Sequence, residues 1–275
     1  MSTPLAGGQA VARVAALLAE PHRASICLAL LDRRAWTAGE LARLTGVAAS
    51  TMSAHLDRLV AGGLVVTERQ GRHRYVRLAG VRAAQLLEEL TGYADPVSPP
   101  RSLRAANATR ALAAARTCYD HLAGLLGVGV LDTLADRGLV EVGTGIAITG
   151  NGVGWFADLG VDIAALRGAR RPVTRACLDW TERRSHLAGA AGAALCQRCF
   201  DLGWIERAAS RNSAATRAVR VTPAGRRGFA DTSDSPSTPW RAGRSYPETT
   251  GRTRKRAAPR DDEGKEQSLL AIFNV

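Results

Sequence analysis

Between Glu20 and Leu78 the hydrophobic pattern changes period once, and that order constrains the fold more than any other feature of the chain. Leu41, Leu44 and Val47 have the spacing of a short amphipathic helix. Gly46 follows at a tight turn, where glycine tolerates the dihedrals required. Ser50 or Ala49 opens the next helix, Ser50 being the better cap because its hydroxyl can accept an orphan backbone N–H. Met52, Leu56, Leu59 and Val60 form that helix's buried stripe. After Gly62-Gly63 the alternation of Leu64–Thr67 and Tyr75–Leu78 predicts two strands around a turn at Gln70-Gly71-Arg72-His73. The expectation is helix, turn, helix, hairpin.

The residues left outside this pattern suit a duplex. Ser50, Thr51, Ser53, Ala54, Asp57 and Arg58 face outward from the second helix. Small hydroxyl residues at its start let a helix sit deep in a major groove and still hydrogen-bond. Arg69 to Arg77 holds four arginines and no acid, which suits phosphate contact or a minor-groove reach. We therefore expect Ser50, Thr51, Ser53 and Arg58 to meet base edges or nearby phosphates, with Arg69, Arg72, His73 and Arg74 on the backbone. His55 either contacts a phosphate or caps the fold against the first helix.

This segment resembles the winged helix-turn-helix of the ArsR family of bacterial transcriptional regulators, over roughly residues 9 to 95. The resemblance rests on Glu20-Pro-x-Arg23, Gly39-Glu-Leu-Ala-x-Leu-Thr-Gly46, Ser50-x-x-Ser-x-His-Leu-x-x-Leu59 and Gly63-Leu-Val with Gly71-Arg-x-Arg-Tyr-x-x-Leu78. It implies a homodimer that represses promoters and leaves DNA on sensing a metal or another signal. It also implies pairing through the first helix, around Val11 to Leu18, and the helix after the wing, about Val81 to Tyr93. Soft-metal sensors of the family often carry a cysteine pair in the first motif helix, and Glu40–Leu44 has none. Others use acidic and histidine ligands in the helix after the wing, which here lacks histidine.

Composition agrees. The net charge of +12 favours a polyanionic partner, and residues 96–230, with 18 basic and 10 acidic side chains, supply most of it. Five scattered cysteines argue for reduced thiols rather than a disulfide framework. No apolar run is long enough to span a membrane and no leader opens the chain, so a cytoplasmic protein without membrane partners is expected. Three prolines between Pro96 and Pro100 mark a linker. The expected division is a DNA-binding and dimerisation domain at 1–95, a linker at 96–101, a second domain at 102–229 and a disordered tail at 230–275. A helix is expected from Ser102 to about Arg116.

The second domain is internally duplicated. His121-Leu-Ala-Gly-Leu-Leu-Gly127 matches His186-Leu-Ala-Gly-Ala-Ala-Gly192 at an offset of 65, and 8 of 21 aligned positions are identical. Cys118-Tyr-Asp120 and Cys177-Leu-Asp179 precede the copies, and each is followed by a strand pair and a Thr-x-x-Gly helix start. Helix, hairpin, helix is again the winged-helix order, so the fold class expected is mainly α with small β-hairpins (α+β), ending in two degenerate winged-helix-like repeats.

Thiolate and imidazole are ligands that zinc, copper(I) or trivalent arsenic select. Cys118, His121, Cys177, His186, Cys196 and Cys199 could supply them. Cysteine is also among the most buried residue types, and duplication alone repeats motifs. The core reading is preferred here, with no bound metal or cofactor expected; a pocket walled by Cys118, His121, Cys177 and His186 would raise the sensor reading sharply, and wide separation would end it. Cys27 reads as core, and Trp155, Trp180 and Trp204 as core or the lining of a ligand pocket.

Enzyme signatures are missing: no Gly-x-Ser-x-Gly, phosphate loop, His-Glu-x-x-His or Gly-x-Gly-x-x-Gly after a strand. The function expected is a sequence-specific regulator of double-stranded promoter DNA, a homodimeric repressor released by a signal the sequence does not identify. The alternatives are a thiol- or metal-responsive repressor using the Cys and His residues of the repeats, or a signal-independent architectural DNA-binding protein.

Overall fold

The structure is a computed structural model describing residues 7–71, 73–94, 102–168, 171–208 and 217–233. The expected linker, Arg72 and the tail beyond 233 lie outside the described residues.

The first unit runs α1 (Gly8–Leu18), α2 (Pro21–Ala29), a single 3-10 turn (Leu30–Asp32), β1 (Trp36–Thr37), α3 (Ala38–Thr45), α4 (Ala49–Ala61), β2 (Val65–Gln70), β3 (His73–Leu78) and α5 (Val81–Tyr93). Local chemistry sets its boundaries. The Glu20 carboxylate accepts from the backbone N–H of His22 and Arg23, and Pro21 occupies the first turn of α2. Thr37 and Glu40 close a capping box on α3, and Gly46 ends that helix at φ 74°, where other residues are strained. The expected stripe is present: Met52, Leu56 and Leu59 are buried with Ile26, Leu30, Leu31, Leu41 and Val76, while Val60 packs at their edge. Fully burying each such side chain is worth about 1.5–3 kcal/mol.

Two local expectations are corrected. The cap of α4 is Ala48, in extended conformation and without a side-chain bond, so Ser50 lies within the first turn and its hydroxyl is not used as a cap. The wing is also larger than a hairpin. β1 pairs antiparallel with β3, Trp36 opposite Val76, giving a three-stranded sheet in the order β1-β3-β2. Trp36 anchors that third strand by donating its indole N–H to buried Asp32, 3.0 Å away.

The second unit runs α6 (Leu103–Ala114), β4 (Arg116–Cys118), β5 (His121–Ala123), α7 (Gly124–Asp136), β6 (Val140–Val142), β7 (Ile146–Ile148), α8 (Gly150–Asp158), α9 (Ile163–Leu166), β8 (Arg175–Leu178), β9 (Ser185–Ala188), α10 (Gly189–Asp201), β10 (Ile205–Arg207), β11 (Val219–Val221) and α11 (Pro223–Ser233). The duplication is structural: hairpin, helix, hairpin, helix occurs twice. α6 stops at Ala114, short of the expected Arg116, because Arg116 starts a strand and its side chain is fully buried. α11 runs past the expected break near Ala230 to Ser233. The second hairpin of each repeat ends at a matched cap, Thr149 accepting from Gly152 and Thr222 from Gly225.

The two copies interlock. α7 of the first packs on β9 of the second, and α10 of the second packs on β5 of the first. Their shared core includes Leu126, Leu131, Leu134, Phe156, Leu187, Leu195 and Ile205. Neither copy could bury its apolar face alone in this arrangement.

The second unit also rests on the first. β8 packs on α5, where Arg175 pairs with Glu89 at 2.7 Å and Arg217 pairs with buried Glu88. Tyr119 packs on the first core. Part of the helix after the wing is therefore covered within one chain, leaving Leu90 and Tyr93 exposed on it.

Candidate functional site

α4 presents a polar face of small residues. Ser50, Thr51, Ser53, Ala54, Asp57 and Arg58 are all exposed, opposite the buried Met52, Leu56 and Leu59. The hydroxyl of Ser53 donates to the Ala49 carbonyl at 3.1 Å, which fixes its rotamer and leaves its lone pairs outward. His55 is placed differently. Its side chain is 12% exposed and its Nδ1 lies 3.6 Å from Glu20, the residue between α1 and α2 that caps α2, so the structure directs it inward, toward the N-terminus of α2. His22 stacks beside it, ring centroids 5.9 Å apart. Partial burial opposes ionisation of Glu20, but hydrogen bonds from His22 and the backbone N–H groups of Arg23 and His22 outweigh it and hold the carboxyl at about 2.

In the wing, Arg69 and Arg74 sit directly opposite one another on paired strands, and both are exposed. Like charges in opposed positions repel. Arg74 has a partial counter-ion in Asp57 of α4, 3.6 Å away; sequence reasoning had read Asp57 only as an outward residue. His73 opens β3 opposite Gln70.

The duplicated unit brings four of its six candidate ligands together. Cys118 is paired across the strands with His121 in the first hairpin, and Cys177 with His186 in the second. Directly opposed residues project to the same face of a hairpin. The interlocking of the repeats then sets these two faces together, and all four side chains are buried. Their ligand atoms lie within 4.8 Å of one another. Cys196 and Cys199 do not join them; they lie on α10 in the apolar core. Burial pushes the thiols of Cys27 and Cys196 up to about 12, and that of Cys199 up as well.

The Cys-x-Asp motif has a role that was not foreseen. Asp120 lies 3.1 Å from Nδ1 of His121 and is held by Arg171 at 2.5 and 3.1 Å. Asp179 lies 3.2 Å from Nδ1 of His186. It accepts from Arg116 at 2.9 Å, the Gly124 N–H at 2.6 Å and the Thr181 hydroxyl at 2.7 Å. Burial opposes ionisation of both carboxylates. The hydrogen bonds and positive charges around them prevail, holding Asp120 at about 2 and Asp179 far below the usual range. The signal available in the sequence was the aspartate two residues after each cysteine.

The tryptophans do not converge. Trp155 meets Phe156 edge-on, Trp204 meets Phe229 edge-on, and Trp180 lies under the Arg116 guanidinium.

A family model described as a helix-turn-helix domain matches residues 18–68. An uncharacterized HTH-type transcriptional regulator, YdfF of Bacillus subtilis, is 40% identical over 220 residues, covering 80% of this chain and 95% of its own. The HTH-type transcriptional regulator CmtR of Mycobacterium tuberculosis is 41% identical over 81 residues, 30% of this chain and 68% of its own. Among solved structures, a possible transcriptional regulatory protein fragment from Mycobacterium bovis is 36% identical, covering 34% of this chain and all of its own, with a TM-score of 0.31.

Proposed function

Because this chain belongs to the HTH-type transcriptional regulators of ArsR type, we propose that it acts as a homodimeric repressor of promoter DNA. The observation that carries the reading is the facing pair Arg69 and Arg74 beside the small polar face of α4. An opposed cation pair costs stability in water and gains it against two phosphates. α4 then enters the major groove with Ser50, Thr51 and Ser53 toward base edges and Arg58 toward base or phosphate. Arg69, Arg72, His73 and Arg74 hold the flanking backbone.

Support for the dimer comes from α1, which has no buried residue although it is rich in alanine, valine and leucine. Val11 on that helix, and Leu90 and Tyr93 on α5, are exposed apolar side chains of the kind a partner copy covers. Two heads related by a two-fold axis read half-sites about one helical turn apart. The test is footprinting of the purified chain on its own upstream DNA, with sedimentation to fix the stoichiometry. A two-fold protected site bound by two chains supports the reading; protection bound by a single chain removes the dimer from it.

A further inference from the structure

We propose that Cys118, His121, Cys177 and His186 form a closed, tetrahedral binding site for a zinc-like divalent cation that pins the two repeats together. This inference does not depend on the DNA reading.

Three observations carry it. The first is distance. A tetrahedral ion with bonds of about 2.3 Å to sulfur and about 2.0–2.1 Å to nitrogen holds its two sulfurs about 3.8 Å apart and its two nitrogens about 3.3–3.4 Å apart. The sulfurs of Cys118 and Cys177 are 3.8 Å apart, and the Nε2 atoms of His121 and His186 are 3.2 Å apart. The sulfur pair and the nitrogen pair therefore each have the separation such an ion needs, and all four ligand atoms lie within 4.8 Å of one another.

The second is orientation. Nδ1 of each imidazole lies beside its own aspartate, 3.1 Å for His121 and 3.2 Å for His186. The hydrogen bond between Asp120 and His121 leaves Nε2 of that ring turned toward Nε2 of His186, 3.2 Å away. A cation between the two rings would take both Nε2 atoms as ligands. Carboxylate behind histidine behind metal is the usual way a ligating imidazole is oriented. Here Asp120, clamped by Arg171, takes that place behind His121, and Asp179, clamped by Arg116, lies 3.2 Å behind His186.

The third is enclosure. All four residues are at most 3% exposed, and backbone approach is enforced by glycines. A Cβ on Gly127 would lie 2.5 Å from the Leu122 carbonyl and 3.6 Å from Cβ of His186; one on Gly192 would lie 2.4 Å from the Leu187 carbonyl and 3.4 Å from Cβ of His121. Four protein ligands and no solvent face describe a structural rather than a catalytic ion. Two thiolates balance the divalent charge, and their softness favours zinc or cadmium over magnesium or calcium. Binding releases the two thiol protons to solvent.

The test uses the full chain purified with reductant and without chelator. Elemental analysis is expected to find one zinc per chain. Replacement by cobalt(II) is expected to give intense visible d–d bands and a near-ultraviolet thiolate charge-transfer band. The double variant C118S/C177S is expected to lose both metal and bands, and C196S/C199S to keep them. Should C118S/C177S fail to fold, the cobalt spectrum of the unaltered chain decides by itself. A reduced chain that takes up neither zinc nor cobalt overturns the proposal. So does metal retained at full stoichiometry by folded C118S/C177S, or a Cys118–Cys177 disulfide trapped directly from cells.

Discussion

Arg217, in the second repeat, pairs with Glu88, which is 4% exposed on the helix that follows the wing. The contact joins the unit that carries the Cys/His cluster to the unit that presents the recognition helix. Removing one partner of such a pair strands the other charge. We expect Glu88→Ala to destabilise the chain by about 3–5 kcal/mol, measured by urea unfolding. Arg175→Ala, which breaks the more exposed contact with Glu89, is expected to cost no more than about 1 kcal/mol. Equal losses would contradict the assigned difference in burial.

The wing makes a salt-dependent prediction. Arg69→Ala and Arg74→Ala are each expected to weaken binding to all DNA sequences and to lower the slope of log affinity against log salt by about 1. Asp57→Ala, which frees Arg74 from its 3.6 Å partner, is expected to strengthen binding across sequences. Fluorescence anisotropy over a salt series separates these outcomes. An unchanged slope in both arginine variants would remove the wing from the interface.

How far these features were legible in the sequence depends on the range of the interaction. Local signals carried the first unit: the buried stripe Met52, Leu56 and Leu59 and the turn at Gly46 stand where periodicity and glycine placed them, and the helix from Val81 to Tyr93 stands where the family resemblance implied it. β1 was not legible, because Trp36 and Thr37 make a strand only through pairing with distant β3. The duplication was visible as an offset of 65 between His121 and His186. The cysteines follow a different offset, since the second hairpin has a longer loop between Leu178 and Ser185. The two Cys-x-Asp motifs were matched in the sequence, but that mismatch hid that each cysteine lies directly across a hairpin from its histidine. Nothing in a linear pattern reports that α7 crosses to the other repeat, and it is this crossing that brings four ligands to one point.

Matched glycines in the repeats give a steric prediction. A Cβ on Gly152 would lie 2.0 Å from the Leu139 carbonyl, and one on Gly225 would lie 2.0 Å from the Trp204 carbonyl. Backbone must move in both cases, so Gly152→Ala and Gly225→Ala are each expected to cost about 1–3 kcal/mol. Gly154→Ala, with open space around it, is the control and is expected to be neutral or slightly stabilising by thermal unfolding.

Glu20 sets an acid limit on the reading head. Its folded carboxyl titrates at about 2, below an unfolded value of about 4.3. A depressed carboxylate contributes stability that is complete above the unfolded value and is lost as pH falls through the folded one. Thermal midpoints between pH 5 and pH 2 are expected to fall less steeply for Glu20→Ala than for the unaltered chain. Parallel curves would contradict the capping role.

Chelation tests the joint between the repeats. An ion held at a thousand times its dissociation constant stabilises by about 4 kcal/mol. Stripping zinc under reducing conditions is therefore expected to lower the melting temperature of the chain by several degrees, with recovery on adding zinc. Thiol alkylation in the native state at pH 8 is expected to spare buried Cys27 and Cys196, whose thiols lie at about 12.

The most direct measurement of the central claim is the affinity of the purified chain for its own upstream DNA at low ionic strength, by gel shift and footprinting. The account predicts a discrete, salt-sensitive protected site, weakened when Ser53 and Arg58 are replaced by alanine. No protection on any genomic fragment, with the protein folded and at micromolar concentration, would contradict it.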